Sequence, residues 1–213
     1  MRCGKENLLL YAVTDRSWLN GRSLYDDIKQ ALKGGVTFVQ LREKTLDEEN
    51  FLAEAREIKG LCRRYQVPFV INNNVALAKA VDADGVHVGQ SDMEAGMARK
   101  MLGPDKIIGV SAQTVEQAVL AEERGADYLG VGAVFPTGTK ADAEEVSLET
   151  LKAICKAVRI PVIAIGGISK ENVMQLRESG ICGVAVVSAL FAQPDIEKAA
   201  RKLKELTGNM VKV

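Results

Sequence analysis

Eight short runs of β-forming residues, at 8–13, 36–41, 68–71, 85–88, 107–110, 128–131, 161–165 and 183–187, recur from one end of the chain to the other. Between them lie segments with helical period. Over 47–62, Phe51, Ala55, Ile58 and Cys62 fall on one apolar stripe, and over 148–158 Leu148, Leu151, Ile154, Cys155 and Val158 do the same. Glycine ends a helix and an apolar strand follows in Asp84-Gly85-Val86, Gly125-Ala126-Asp127-Tyr128 and Gly180-Ile181-Cys182-Gly183. Thr45-x-x-Glu48, Ser91-x-x-Glu94 and Thr114-x-x-Gln117 fit the capping box that opens a helix. Eight β–α steps with no linker or low-complexity break predict a (βα)8 TIM barrel, a single α/β domain over 1–213. A doubly wound sheet is the competing architecture, but no Gly-x-Gly-x-x-Gly follows the first strand.

Charge and cysteine usage narrow the setting. The chain has 28 basic and 28 acidic side chains and few aromatics, which argues against a nucleic-acid partner. The apolar run Leu8–Val13 is too short to span a membrane and lacks a cleavage-like site. Cys3, Cys62, Cys155 and Cys182 are scattered without a Cys-x-x-Cys pair, so free thiols in a reducing compartment are expected, and with them a cytoplasmic protein. A homo-oligomer is left open.

In a barrel the chemistry belongs to the loops that follow the strands. After the second strand, alternation puts Gln40, Arg42 and Lys44 on one face and Leu41 and Glu43 on the other. An amide and two cations at the end of an apolar strand suit a diphosphate with a polar ring beside it; the plain alternative is a solvated strand end. Asn72-Asn73-Asn74 reads as a turn or helix cap, most clearly at Asn74, or as amides offered to a ligand. His87, the one histidine, reads as a hydrogen-bonded core residue. Asp92 either favours a helix start or supplies one carboxylate to magnesium, which takes its other ligands from phosphates and water. Ser111 either donates to a phosphate or finishes its strand.

After the sixth strand, Phe135-Pro136-Thr137-Gly138-Thr139-Lys140 opens a long loop, with Phe135-Pro136 as an anchored base and the next helix beginning near Ser147. Gly166-Gly167-Ile168-Ser169 and Val187-Ser188 follow the last two strands, where barrels commonly grip a phosphate through backbone N–H groups. The tally is two anion sites with no Ser/His/Asp arrangement, no flanking carboxylate pair and no Cys/His couple. Such a pocket would work by positioning and electrostatic stabilisation.

Gln40-x-Arg42-x-Lys44, Ile71-Asn72, His87-x-Gly89-Gln90-x-Asp92, Phe135-Pro136-Thr137-x-Thr139-Lys140, Gly166-Gly167-Ile168 and Val187-Ser188 together resemble the thiamine phosphate synthase family, in order over nearly the whole chain. The resemblance implies a (βα)8 barrel and a magnesium-dependent transferase. It joins 4-amino-2-methyl-5-pyrimidinylmethyl diphosphate to a phosphoethyl thiazole, and diphosphate leaves before the thiazole nitrogen attacks. It implies that Gln40 and Asn72 contact the pyrimidine within a substrate-binding stretch that also includes Leu41 and Glu43. Arg42, Lys44, Ser111 and Lys140 would act on the diphosphate, with Asp92 and Asn73 at Mg2+. Thr137, Gly138 and Thr139 would contact the thiazole phosphate or the leaving group, and Gly167, Val187 and Ser188 the thiazole phosphate. Two positions depart from the family pattern: Asn73 stands where an aspartate is usual, and Ala133 where a proline is usual. The rival readings are a thiazole tautomerase-like paralogue, against which Gln113 stands where a histidine would be expected, and a non-catalytic sensor of thiamine precursors.

Overall fold

The computed structural model describes residues 3–138 and 145–212. Eight parallel strands close into a barrel in chain order: β1 (Leu10–Val13), β2 (Phe38–Leu41), β3 (Phe69–Asn72), β4 (Gly85–Val88), β5 (Ile107–Ala112), β6 (Tyr128–Val131), β7 (Val162–Ile165) and β8 (Gly183–Val186). The ring is completed by β1 against β8, with Tyr11 beside Ala185. Each predicted strand is present, with ends shifted by up to two residues. The helices α1 (Leu24–Lys33), α2 (Glu48–Arg64), α3 (Val75–Ala80), α4 (Ala95–Leu102), α5 (Val115–Glu123), α6 (Leu148–Ala157), α7 (Ser188–Phe191) and α8 (Ile196–Val211) complete the βα order, except that β7 is followed by a 3-10 turn at Val173–Leu176.

Both faces of each strand are covered, which explains their near-continuous apolar sequence. Outward side chains such as Val39, Leu41, Val86, Val88, Leu129 and Val131 pack in the layer against the helices. Inward ones, among them Tyr11, Phe38, Val70, Ile107, Tyr128 and Ile163, form a separate plug. Tyr11 and Phe38 pack with tilted rings whose centroids are 4.5 Å apart, and Phe38 meets Tyr128 edge-on at 5.7 Å. Aromatic packing of this kind adds to the area it buries.

Room for the plug comes from missing side chains. A Cβ at Gly109 would overlap the Tyr128 phenol and lie 2.5 Å from His87 Nδ1, and one at Gly130 would lie 3.2 Å from His87 Cε1. Gly85, at the start of β4, serves a different need from a helix stop: a Cβ there would run into the Ile107 carbonyl of β5. Gly125 (φ +86°) and Gly180 (φ +94°) do adopt the left-handed conformation that precedes a strand.

Capping is partly as expected. Thr114 caps α5 through the Gln117 N–H, while the Gln117 side chain accepts from the Gln113 N–H. Asn74 caps α3. Two expected caps are displaced. The α2 cap is Asp47, because Thr45 gives both its N–H and its hydroxyl to Glu43. The α4 cap is Glu94, with Ser91 three residues upstream in the loop.

Gly109→Ala is expected to lower unfolding free energy by about 1–3 kcal/mol, the usual cost of overpacking. Gly60→Ala, in mid-α2 with open space around it, is expected to raise it by about 0.5–1 kcal/mol. Urea melts of the two variants check both signs.

Candidate active site

Because every strand runs the same way around a closed ring, the loops after the strands share one rim. Gln40, Asn72, His87, Ser111 and Gly167 all stand at or just past strand ends, and Ser188 begins α7 two residues after β8. Among the described residues, the structure therefore gathers most of the predicted positions. Thr139 and Lys140 lie outside the described residues.

The strand 2 end is built in detail. Gln40 points into the barrel, where its Nε2 donates to the Tyr11 hydroxyl at 2.6 Å. Arg42 is fixed from β1: its N–H donates to Thr14 Oγ1 at 2.9 Å, and its Nη1 donates to Asp15 Oδ2 at 2.8 Å. Burial pushes the Asp15 carboxyl up, but hydrogen bonds from Ser17 and the Arg42 guanidinium outweigh it and the net shift is downward. Lys44 is exposed.

Leu41 and Glu43 face away from this rim with their side chains. Leu41 is sealed in the strand–helix layer. Glu43 pairs with Arg16 and accepts from the Lys44 and Thr45 N–H groups. Burial opposes ionisation of Glu43, yet these bonds hold its carboxyl below the usual range. Arg16 also pairs with Glu54, whose carboxyl is pushed up by burial. Glu43 is thus a clasp for the loop, and any contact from Leu41 comes through its backbone.

At the ends of β3 and β4, Asn72 is in register with His87, and the Asn73 N–H donates to the His87 carbonyl at 2.8 Å. Asn73 has φ +64°, a conformation that asparagine tolerates better than most residues. Asp92 Oδ2 accepts from the Gly89 N–H at 2.7 Å, so it shapes the turn after β4. No group of three or more His, Cys, Asp or Glu side chains suited to a metal exists among the described residues. One carboxylate and one amide oxygen on neighbouring strand ends nevertheless suit a hard cation that draws its remaining ligands from phosphate and water.

His87 is the core residue expected of it. Nδ1 lies 2.9 Å from the Tyr128 hydroxyl and Nε2 lies 3.0 Å from Ser111 Oγ. Burial lowers its pKa to about 4. Ser111 is only partly buried, and its carbonyl accepts from Gln90 Nε2 at 2.6 Å. Ser111 thereby joins the interior to the rim.

On the far side, Pro136, Thr137, Gly138, Gly167, Ile168, Ser169, Ser188 and Gln193 are among the residues lining a cavity of about 380 Å3. Its floor is tight at Gly167 (φ +65°), where a Cβ would overlap the Pro136 carbonyl; behind it, a Cβ at Gly166 would lie 2.5 Å from the Ala133 Cβ. The β6 loop base is anchored by the Val134 N–H to the Ile165 carbonyl and the Phe135 N–H to the Gly166 carbonyl. No side chain caps α7, whose cap position is Val187, so its first N–H groups face the cavity end of the helix without a local acceptor side chain.

Thr14, Asp15, Tyr11 and Tyr128 are the functional neighbours that sequence reasoning missed. For Thr14 and Asp15 a signal existed, since they follow the first strand just as the other site residues follow theirs.

A model described as thiamine monophosphate synthase matches residues 10–190. The chain is 50% identical over 199 residues to the thiamine-phosphate synthase of Clostridium tetani, covering 93% of this chain and 94% of that protein. It is also 50% identical over 205 residues to that of Ruminiclostridium cellulolyticum, covering 96% and 98%. Among solved structures, thiamine phosphate pyrophosphorylase from Pyrococcus furiosus matches with TM-score 0.90 and 38% identity over 97% of this chain and 98% of that one.

The neutral His87 makes stability depend on pH. An unfolded histidine takes up a proton near pH 6.5, whereas His87 in the folded chain does so near 4. The unfolded state binds more protons between these values, so stability falls as pH drops through that window. Between pH 7 and 4.5 the histidine contribution is on the order of 2 kcal/mol. Urea melts at the two pH values are expected to show that excess loss in the wild type relative to His87→Gln.

Proposed function

Because the chain belongs to the thiamine monophosphate synthase family, we propose that its barrel rim carries out the magnesium-assisted transfer step of that family. One barrel domain over 1–213 would suffice. A pyrimidinylmethyl diphosphate binds with its ring against Gln40 and Asn72 and its diphosphate toward Arg42, Lys44, Ser111 and Lys140. A thiazole phosphate binds with its phosphate in the cavity between Thr137-Gly138 and Gly167, Val187 and Ser188, with Thr139 beside it. The observation that carries this reading is the convergence of Gln40, Arg42, Asn72 and Ser111 on one rim, facing a second, glycine-floored cavity.

The chemistry follows from what these groups do. The C–O bond to diphosphate breaks first, leaving a pyrimidinylmethyl cation. The thiazole nitrogen then forms the new C–N bond, and no proton has to be removed for either event. Arg42 and Lys44 offset the charge that builds on the departing diphosphate, and the Ser111 hydroxyl donates to it. Gln40 and Asn72 orient the ring, and the second cavity holds the thiazole within attacking distance. Asp92 and Asn73 are the residues that would hold Mg2+, which when bound supplies further positive charge to the diphosphate. The free thiols Cys3, Cys62, Cys155 and Cys182 fit a reducing compartment, and we place the protein in the cytoplasm. Within the described residues no helix is long and apolar enough to cross a membrane.

With both substrates and Mg2+, the purified protein is expected to form thiamine phosphate. Arg42→Ala and Lys140→Ala should each lower kcat by on the order of 10²-fold, as removal of one electrostatic stabiliser commonly does. Wild-type turnover in both would remove them from the mechanism. Asn73→Asp restores a full charge and should tighten apparent Mg2+ affinity; an unchanged metal titration would place Asn73 away from the ion.

A further inference from the structure

A continuous run of hydrogen bonds crosses the barrel interior. Gln40 Nε2 donates to the Tyr11 hydroxyl at 2.6 Å. The Tyr11 and Tyr128 hydroxyls lie 2.8 Å apart. The Tyr128 hydroxyl lies 2.9 Å from His87 Nδ1, and His87 Nε2 lies 3.0 Å from Ser111 Oγ. The five side chains come from β2, β1, β6, β4 and β5, and all but Ser111 are buried. One end is the amide assigned above to the pyrimidine; the other is the hydroxyl assigned to the diphosphate.

Proton order along this run is set by taking the Gln40 amide with Nε2 toward Tyr11, the orientation the structure has. Each phenol has one proton to give. Tyr11 accepts from Gln40, so its own proton goes to Tyr128. Tyr128 in turn gives its proton to His87 Nδ1. A neutral imidazole that accepts at Nδ1 carries its proton on Nε2 and donates to Ser111 Oγ. Ser111, having accepted, has its own hydrogen left for a partner outside the run. In the opposite order Ser111 would donate to Nε2 and both phenols would donate toward Gln40. A phenol proton would then face the amide N–H at the Tyr11 end, and only a lone pair of Ser111 would face an anion.

We propose that Tyr11, Tyr128 and His87 are positioning residues that form a polarised relay, holding His87 in its Nε2–H form and aiming the Ser111 hydrogen at the leaving diphosphate. The relay rests on the reading that Ser111 faces that diphosphate. It deepens that reading by giving the buried interior a part in the reaction that packing alone does not require. His87 neither gives up nor takes a proton in the step; it fixes which way one points.

His87 is the only histidine, so protein labelled with 15N-histidine reports a single imidazole. Long-range proton–nitrogen correlation on the ligand-free wild type is expected to show the proton on Nε2; a proton on Nδ1 overturns the relay. The kinetic arm is a double-variant cycle with both substrates and Mg2+. Tyr128→Phe should lower kcat about tenfold, as loss of one hydrogen bond's worth of stabilisation would, with little change in KM. Tyr128→Phe combined with Ser111→Ala should be no slower than Ser111→Ala alone, because the phenol acts only through that hydroxyl. Losses that multiply would mean general damage to the interior and would overturn the proposal. Tyr11→Phe, one link upstream, provides the same cycle if Tyr128→Phe does not fold. An Nε2–H signal without thiamine phosphate formation would overturn the proposed substrates and with them the aim of the Ser111 hydrogen, leaving only the proton order inside the barrel. Product formation with an Nδ1–H signal would do the reverse.

Discussion

The Tyr128 hydroxyl occupies the point at which packing and polarity of the barrel interior meet. Its ring lies against Phe38 and Tyr11, and its oxygen is held between Tyr11 and His87. A buried phenol left without partners would cost on the order of 1–3 kcal/mol, so the interior has to supply them. Burial raises the Tyr128 pKa well above its ordinary value, which keeps the group neutral and able to donate. The ring fits only because β5 carries Gly109 beside it, and Gly130 on β6 leaves room for the His87 imidazole that bonds the phenol. Place the ring, and His87 has one orientation; place His87, and Ser111 is tied to a fixed point under the rim.

The same economy governs the second cavity. Parallel closure forces the β6 and β7 loops into contact, and the contact is backbone on backbone: Phe135 N–H to Gly166 carbonyl, and Gly167 beneath Pro136. A side chain is excluded at Gly167, which leaves backbone and the hydroxyls of Thr137, Ser169 and Ser188 within reach of a ligand. That part of the lining suits a phosphate, while Pro136, Ile168 and Ala189 give the cavity apolar surface as well. The two halves of the rim differ in kind, one built from polar and charged side chains at and just past strand ends and the other largely from loop backbone and hydroxyls.

Strand positions, helix faces and most rim residues were legible in the sequence because they are local. A two-residue alternation put Gln40 and Leu41 on opposite faces, and the structure has Gln40 inside the barrel and Leu41 in the outer layer. Thr114-x-x-Gln117 closed as a cap because both partners lie within one turn. Thr45 failed as a cap for a non-local reason: Glu43 is held in place by Arg16, and its carboxylate then attracts the Thr45 N–H and hydroxyl. Tyr11 and Tyr128 are 117 positions apart, and no spacing rule joins them. Gly85 looked like a helix stop, yet its reason is the Ile107 carbonyl on the next strand. What sequence reasoning lost was the identity of partners brought together by closure.

The Asp15–Arg42 pair poses the remaining question, since a carboxylate beside an anion-binding arginine looks like a handicap. The geometry argues otherwise. Asp15 takes a single donor from Arg42, Nη1, and Thr14 fixes the Arg42 backbone. A guanidinium has five N–H donors in a rigid plane, so one bond orients the plane and leaves the others for a ligand. The pair is partly exposed, where Coulomb attraction is screened and an ion pair is worth little by itself. A diphosphate carries more charge than one carboxylate and can take two donors at once. Asp15 therefore weakens the field at Arg42 modestly while removing the rotamer freedom that binding would otherwise have to freeze. Losing that carboxylate would leave a stronger but less directed cation, and the cost would fall on how the diphosphate is held as it departs.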